Sequence, residues 1–180
     1  MSDDDDQLVE QCRAGDDEAF GELVRRNQDS VFNLAWRMTG NWHEAADITQ
    51  EAFLRAYRKL HTYRTGHAFK NWVMGIGANV AKNMFRSHSR RQRHEEQLAE
   101  SPAPEAAPGA ADEALEAALR RLPETLRAAL VLKHMEGMSY EEVARTLGIG
   151  VSAAKMRVAR GRDELVLLLK PGRRNDHEHG

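Results

Sequence analysis

Cysteine is almost missing from this 180-residue chain: Cys12 stands alone, so no internal disulfide can form. Its expected place is that of a small, buried apolar residue rather than a redox switch. No CxxC or HExxH spacing offers a metal cage, and the eight histidines are scattered. No run of 18 apolar residues occurs, which excludes a membrane-spanning helix. The opening Met1-Ser2-Asp3-Asp4-Asp5-Asp6 has neither the basic segment nor the apolar core of a secretory signal. Strand-type alternation is missing too, as are a phosphate-cradling glycine loop and any catalytic dyad. These absences predict an all-α, cytoplasmic-type protein with no cofactor and no enzyme activity. A mass of 20.3 kDa allows one ordinary domain or two small ones.

Acid is missing altogether from residues 55–94, which carry ten lysines and arginines. Residues 1–54 are the reverse, thirteen acids against four arginines. Residues 95–124 turn acidic again, and 155–162 supply Lys155, Arg157, Arg160 and Arg162 without an acid. The net charge of −2 therefore hides two separate basic blocks. Two such blocks suggest two contacts with a polyanion, for which nucleic acid is the first candidate. Tyr57, Tyr63, Phe69, Trp72 and Phe85 are interleaved with the first block. Rings stack on bases while cations pair with phosphates, a combination suited to a single strand. Some of these rings must instead fill the core.

Apolar spacing is helical nearly throughout. It predicts helices over 8–14, from Asp16 or Asp17 to about Met38, over 44–60, and over 68–88, with a loop at 61–67. The third helix would bury Ala45, Ile48, Ala52, Phe53, Ala56 and Leu60; the fourth, Phe69, Trp72, Val73, Ile76, Val80 and Met84. Residues 95–111 hold Pro102, Pro104, Pro108 and Gly109 among Ala, Glu and Ser, and read as a flexible linker. The expected division is a helical domain at 1–94, the linker at 95–111, a second helical domain at 112–170 and a disordered tail at 171–180. His177 and His179 in that tail are expected to be solvated rather than metal-bound.

The second unit holds the most specific local signal. Ser139-Tyr140-Glu141-Glu142 is a capping box that starts a short helix ending at Gly148. After Gly148-Ile149-Gly150 a longer helix begins near Val151, giving the outline of a helix-turn-helix. Val151, Ala154, Val158, Leu165 and Leu168 would face inward. Ser152, Ala153, Lys155, Met156, Arg157 and Arg160 would face a major groove, with the cations on phosphates or guanine edges.

Three segments, in order, resemble the bacterial sigma-seventy superfamily and its two-domain extracytoplasmic-function group of RNA polymerase sigma factors. AADITQEAFL at 45–54 resembles the family's polymerase-docking helix. FKNWV at 69–73 and IGANVA at 76–81 resemble its promoter-melting helix. LP at 122–123, EGMSYEEVA at 136–144 and KMR at 155–157 resemble the region that binds the minus-thirty-five element. The resemblance implies a stress-response transcription factor that binds core polymerase, promoter DNA in duplex and melted form, and an anti-sigma factor, without inserting in a membrane. Asp47, Gln50, Glu51, Leu54 and Arg58 would dock on polymerase. Tyr63, Arg64, His67, Lys70, Trp72, Asn79, Lys82, Asn83 and Arg86 would hold the melted minus-ten strand. Strand capture is binding, with each stacked base contributing about 1–3 kcal/mol, and the polymerase supplies the chemistry.

Two departures from the family pattern carry expectations. Gly75 and Gly77 stand inside the melting helix, at about 1 kcal/mol each relative to alanine. Gly75 would also remove a phosphate contact. Ala153 and Ala154 replace a common Thr-Val pair, which removes a hydroxyl from the start of the recognition helix. A rival reading is an autonomous helix-turn-helix regulator that binds duplex DNA alone; another is a mimic that only titrates an anti-sigma factor. The acid-free basic span and the docking-type helix favour the sigma factor over both.

Overall fold

The computed structural model describes residues 2–94 and 110–170, with side chains over 4–87 and 113–170. Of the linker expected at 95–111, residues 95–109 lie outside the described residues, as does the tail at 171–180, while Ala110 and Ala111 belong to a helix. The first unit is α1 (Ser2–Arg13), α2 (Asp17–Thr39), α3 (Trp42–Arg58), a 3-10 turn (Leu60–Thr62) and α4 (Phe69–His94). The second is α5 (Ala110–Arg121), α6 (Glu124–His134), α7 (Tyr140–Leu147) and α8 (Val151–Leu169). Among the described residues no helix is long and apolar enough to cross a membrane.

Local chemistry sets most boundaries. Asp16 accepts from the Glu18 and Ala19 amides at 3.0 and 3.3 Å and starts α2. Gly40, at φ +69°, ends it in the left-handed conformation that glycine adopts without a Cβ penalty. Asn41 at once caps α3, accepting from His43 and Glu44. The capping box of α7 closes as expected: Glu142 N donates to Ser139 Oγ at 3.1 Å, and Ser139 N donates to Glu142 Oε2 at 2.8 Å. Two helices run beyond their expected ends. α1 begins at Ser2, where aspartates near an N-terminus complement the helix dipole, and α4 continues to His94.

All six residues expected inside α3 and its following turn are buried. On α4 Phe69, Val73 and Val80 are buried, together with Met74, Ala78 and Ala81, while Trp72, Ile76 and Met84 are half-buried. Ala154 and Val158 face inward on α8, but Val151 does not: at the first position of the helix it is exposed. Cys12 is half-buried, and burial beside Asp17 and Asp16 raises its pKa.

The two units share one continuous buried cluster. At their junction the Arg127 guanidinium donates to the Leu122 carbonyl at 2.9 Å, to Arg120 O, and across to Met38 O at the end of α2. Burial lowers its pKa to about 10. Gly75 has a role that spacing along one helix does not reveal. A Cβ there would lie 2.5 Å from the Thr146 carbonyl oxygen, so only glycine lets the end of α7 approach α4 this closely. The expected loss of a phosphate contact is thus accompanied by a gain, close packing between the units.

Candidate nucleic-acid and protein interfaces

The docking-type surface lies on α3. Asp47, Gln50, Leu54 and Arg58 are exposed, whereas Glu51 is half-buried and paired with Arg55 at 2.6 Å. Beside them runs an apolar cleft of about 680 Å³ between α2 and α3, lined by Phe20, Phe32, Trp42, Phe53, Leu54 and Tyr57 among others. Trp42 is 56% exposed and Tyr57 47%, large fractions for aromatic side chains. This cleft is absent from the sequence expectation. Its signal is an aromatic on the outer side of α3 at either end, but Tyr57 belongs to the basic block and suggests base stacking instead. The structure turns Tyr57 toward α2, where its hydroxyl donates to Asp17 Oδ1 at 2.7 Å and its ring meets Phe20 edge-on.

The surface expected to face the strand is built by the 61–67 loop and α4. Its centre is a cleft of about 450 Å³ lined by Tyr63, Arg64, His67, Asn71, Trp72 and Asn79, and on the opposite wall by α7 residues Glu142, Arg145 and Thr146. Arg64, His67, Asn79, Asn83 and Arg86 are exposed; Lys70, Trp72 and Lys82 are half-buried. Tyr63 is only 3% exposed, its ring packed against Phe69 and Trp72 with centroids at 5.6 and 5.3 Å. Of the five interleaved aromatics, Phe69 is core, Phe85 packs near Arg127, and Trp72 and Tyr63 line this cleft.

Partners from the second unit occupy part of this surface. Lys70 Nζ is paired with Glu136 at 2.8 Å. Asn71 Nδ2 donates to Glu142 Oε1 at 3.0 Å, so a single carboxylate both caps α7 and binds α4. Hydrogen bonding by Ser139 and Asn71 holds the Glu142 pKa below its ordinary value.

The recognition-type helix α8 is more open. Ser152, Lys155, Met156 and Arg160 are exposed, and Ala153 is half-buried at its start. Arg157 is half-buried in a small crevice with Asn79 and Lys82. The Lys155 ammonium lies 5.8 Å from the Tyr140 ring centroid. The short helix, Gly148 in the left-handed region and longer helix form the helix-turn-helix outline.

Comparison with known proteins gives these surfaces a context. Residues 23–91 match Sigma-70 region 2 and residues 112–165 match Sigma-70, region 4. The chain is 38% identical over 155 residues to the ECF RNA polymerase sigma factor SigE of Mycolicibacterium smegmatis, covering 82% of this chain and 60% of that protein. It is 33% identical to the RNA polymerase sigma-H factor of Pseudomonas aeruginosa, covering 93% of this chain and 94% of that protein. Its fold matches the sigma factor RpoE of Bartonella quintana, solved with the anti-sigma factor NepR, with a TM-score of 0.70 over 86% of this chain and 98% of that one at 24% identity. Both units and most of the length of a sigma-H factor are accounted for, and the chain belongs to the sigma-70 family of RNA polymerase sigma factors, in its two-domain extracytoplasmic-function group.

Proposed function

We propose that this chain is an alternative sigma factor whose α3 face and adjoining aromatic cleft dock on core RNA polymerase. In this reading α8 reads the minus-thirty-five duplex, and α4 with the 61–67 loop captures the melted minus-ten strand. The single observation that carries the reading is the cleft of about 450 Å³ lined by Arg64, His67, Asn71, Trp72 and Asn79, which sets a guanidinium, an imidazole, two amides and an aromatic ring together. The chain supplies recognition and the polymerase supplies the chemistry, so the protein acts in the cytoplasm. An anti-sigma factor is the expected inhibitory partner, as in the complex of the Bartonella quintana relative.

The free chain is closed for this task. The two promoter elements lie about 25 base pairs apart, or about 85 Å of B-form DNA at 3.4 Å a pair. A chain whose α7 is hydrogen-bonded to α4 cannot reach both elements, so its units must part when polymerase holds them. The test is run-off transcription from DNA upstream of its own gene with bacterial core polymerase. A specific start is expected only with the protein added, and weakened by Asp47→Ala with Gln50→Ala. Tight duplex binding without any affinity for core polymerase would instead favour the autonomous regulator.

A further inference from the structure

The acidic N-terminus contributes one side chain to the strand-facing surface from behind. Asp6 and Arg13 stand two turns apart on one face of α1. Asp6 Oδ1 accepts from the Tyr63 hydroxyl at 2.7 Å, and its Oδ2 accepts from the Gly66 backbone N–H at 2.8 Å. One carboxylate thus engages two donors three residues apart in the same loop. Arg13 Nη2 donates to the Leu60 carbonyl at 2.9 Å and to the Tyr63 carbonyl. The loop has one further tie, the Tyr63 hydroxyl, whose single proton is shared between Asp6 and the His67 carbonyl; Arg64, Thr65, Gly66 and His67 are themselves exposed, and Gly66 sits at φ +83°. Asp6 does not itself line the cleft, whereas Arg64 and His67 do.

We propose that Asp6 is a positioning residue for strand capture, acting with Arg13 to set the 63–67 loop before DNA arrives. This inference rests on the sigma-factor reading of the same cleft. A loop ordered during folding presents Arg64 and His67 beside Trp72 and Asn79 without a further entropy cost at the moment of binding. A loop released from α1 must be ordered by the strand itself, which weakens binding and blurs the fit to any one base. The acid faces neutral donors, the Tyr63 phenol and the Gly66 amide, so its charge is spent on the back of the loop.

The test uses the full chain assembled with bacterial core polymerase. The probe is a single-stranded panel in which each base of the minus-ten segment upstream of its own gene is changed. Amide hydrogen exchange at Gly66 reports the clasp directly. Asp6→Ala is expected to speed Gly66 exchange, weaken strand binding about tenfold and flatten the preference among bases, with affinity for core polymerase unchanged. Asp6→Asn, which keeps an acceptor for one of the two donors, is expected to recover part of both the protection and the base preference. Unchanged strand affinity and base preference in Asp6→Ala would overturn the positioning role, as would a loss shared equally with core binding. A wild-type assembly that binds the panel no better than core polymerase alone would overturn the sigma-factor reading itself.

Discussion

The two surfaces that carry cations differ in how much of them the free chain leaves open. On α8, Ser152, Lys155, Met156 and Arg160 face solvent, and only Arg157 is drawn into a crevice. On α4, Lys70 is paired with Glu136, Asn71 is bonded to Glu142, and the cleft beside Trp72 has α7 as its second wall. A surface for duplex DNA can stay exposed at little cost, since charged side chains are well solvated. The cleft beside Trp72 is partly apolar, and covering it removes that area from water. Under the proposed function, the strand cleft becomes accessible only when the units part.

The strongest way to break this comparison is to open α4 without touching α8. Gly75→Arg sets a side chain against the Thr146 carbonyl, an overpacking of about 1–3 kcal/mol, or roughly 5- to 150-fold against the closed form. Small-angle scattering should show a more extended chain, and amide exchange across 71–79 and α7 should rise while helix content is kept. Arg127→Met comes next. It leaves the Met38, Arg120 and Leu122 carbonyls short of a donor, a loss of about 1–3 kcal/mol in all, at about 2–4 °C of Tm for each kcal/mol. Thermal denaturation checks this.

Removing the α7 cap has a smaller effect. Ser139→Ala should cost about 1 kcal/mol of stability in urea unfolding. Acid should act at the same place, because the Glu142 pKa is lowered in the folded chain. Its contribution is complete above the ordinary carboxyl value of 4.5 and is lost as pH falls through the lower folded value, so acid should free the Asn71 amide only after carboxyls of ordinary pKa have protonated. Site-resolved exchange against pH measures that order. Least of all, Lys70→Ala removes a partly exposed ion pair of about 0.2–1 kcal/mol, an effect that salt should shrink.

Caps and periodicity were the legible part of the fold. Asp16, Gly40, Ser139 and Gly148 act through neighbours a few residues away, so sequence spacing alone locates them. The α3 core and most of the exposed face of α8 follow from the same local logic. What stayed hidden depends on long-range pairing. Tyr57 and Trp72 share a basic block, yet one faces α2 and the other the cleft between α4 and α7. Tyr63 is suited to stacking by composition, but it is buried with its hydroxyl on Asp6, 57 positions away. Trp42 and the aromatic groove required α2 and α3 to be set side by side.

The sequence by itself determined the helices of the first unit and their order, the helix-turn-helix and the family, because each is written in capping residues, apolar period and local motifs. Tertiary structure alone decided which cations are free, why position 75 is glycine and what Asp6 holds. Those answers depend on atoms within about 3 Å that lie tens of residues apart along the chain, and no local spacing encodes such distances.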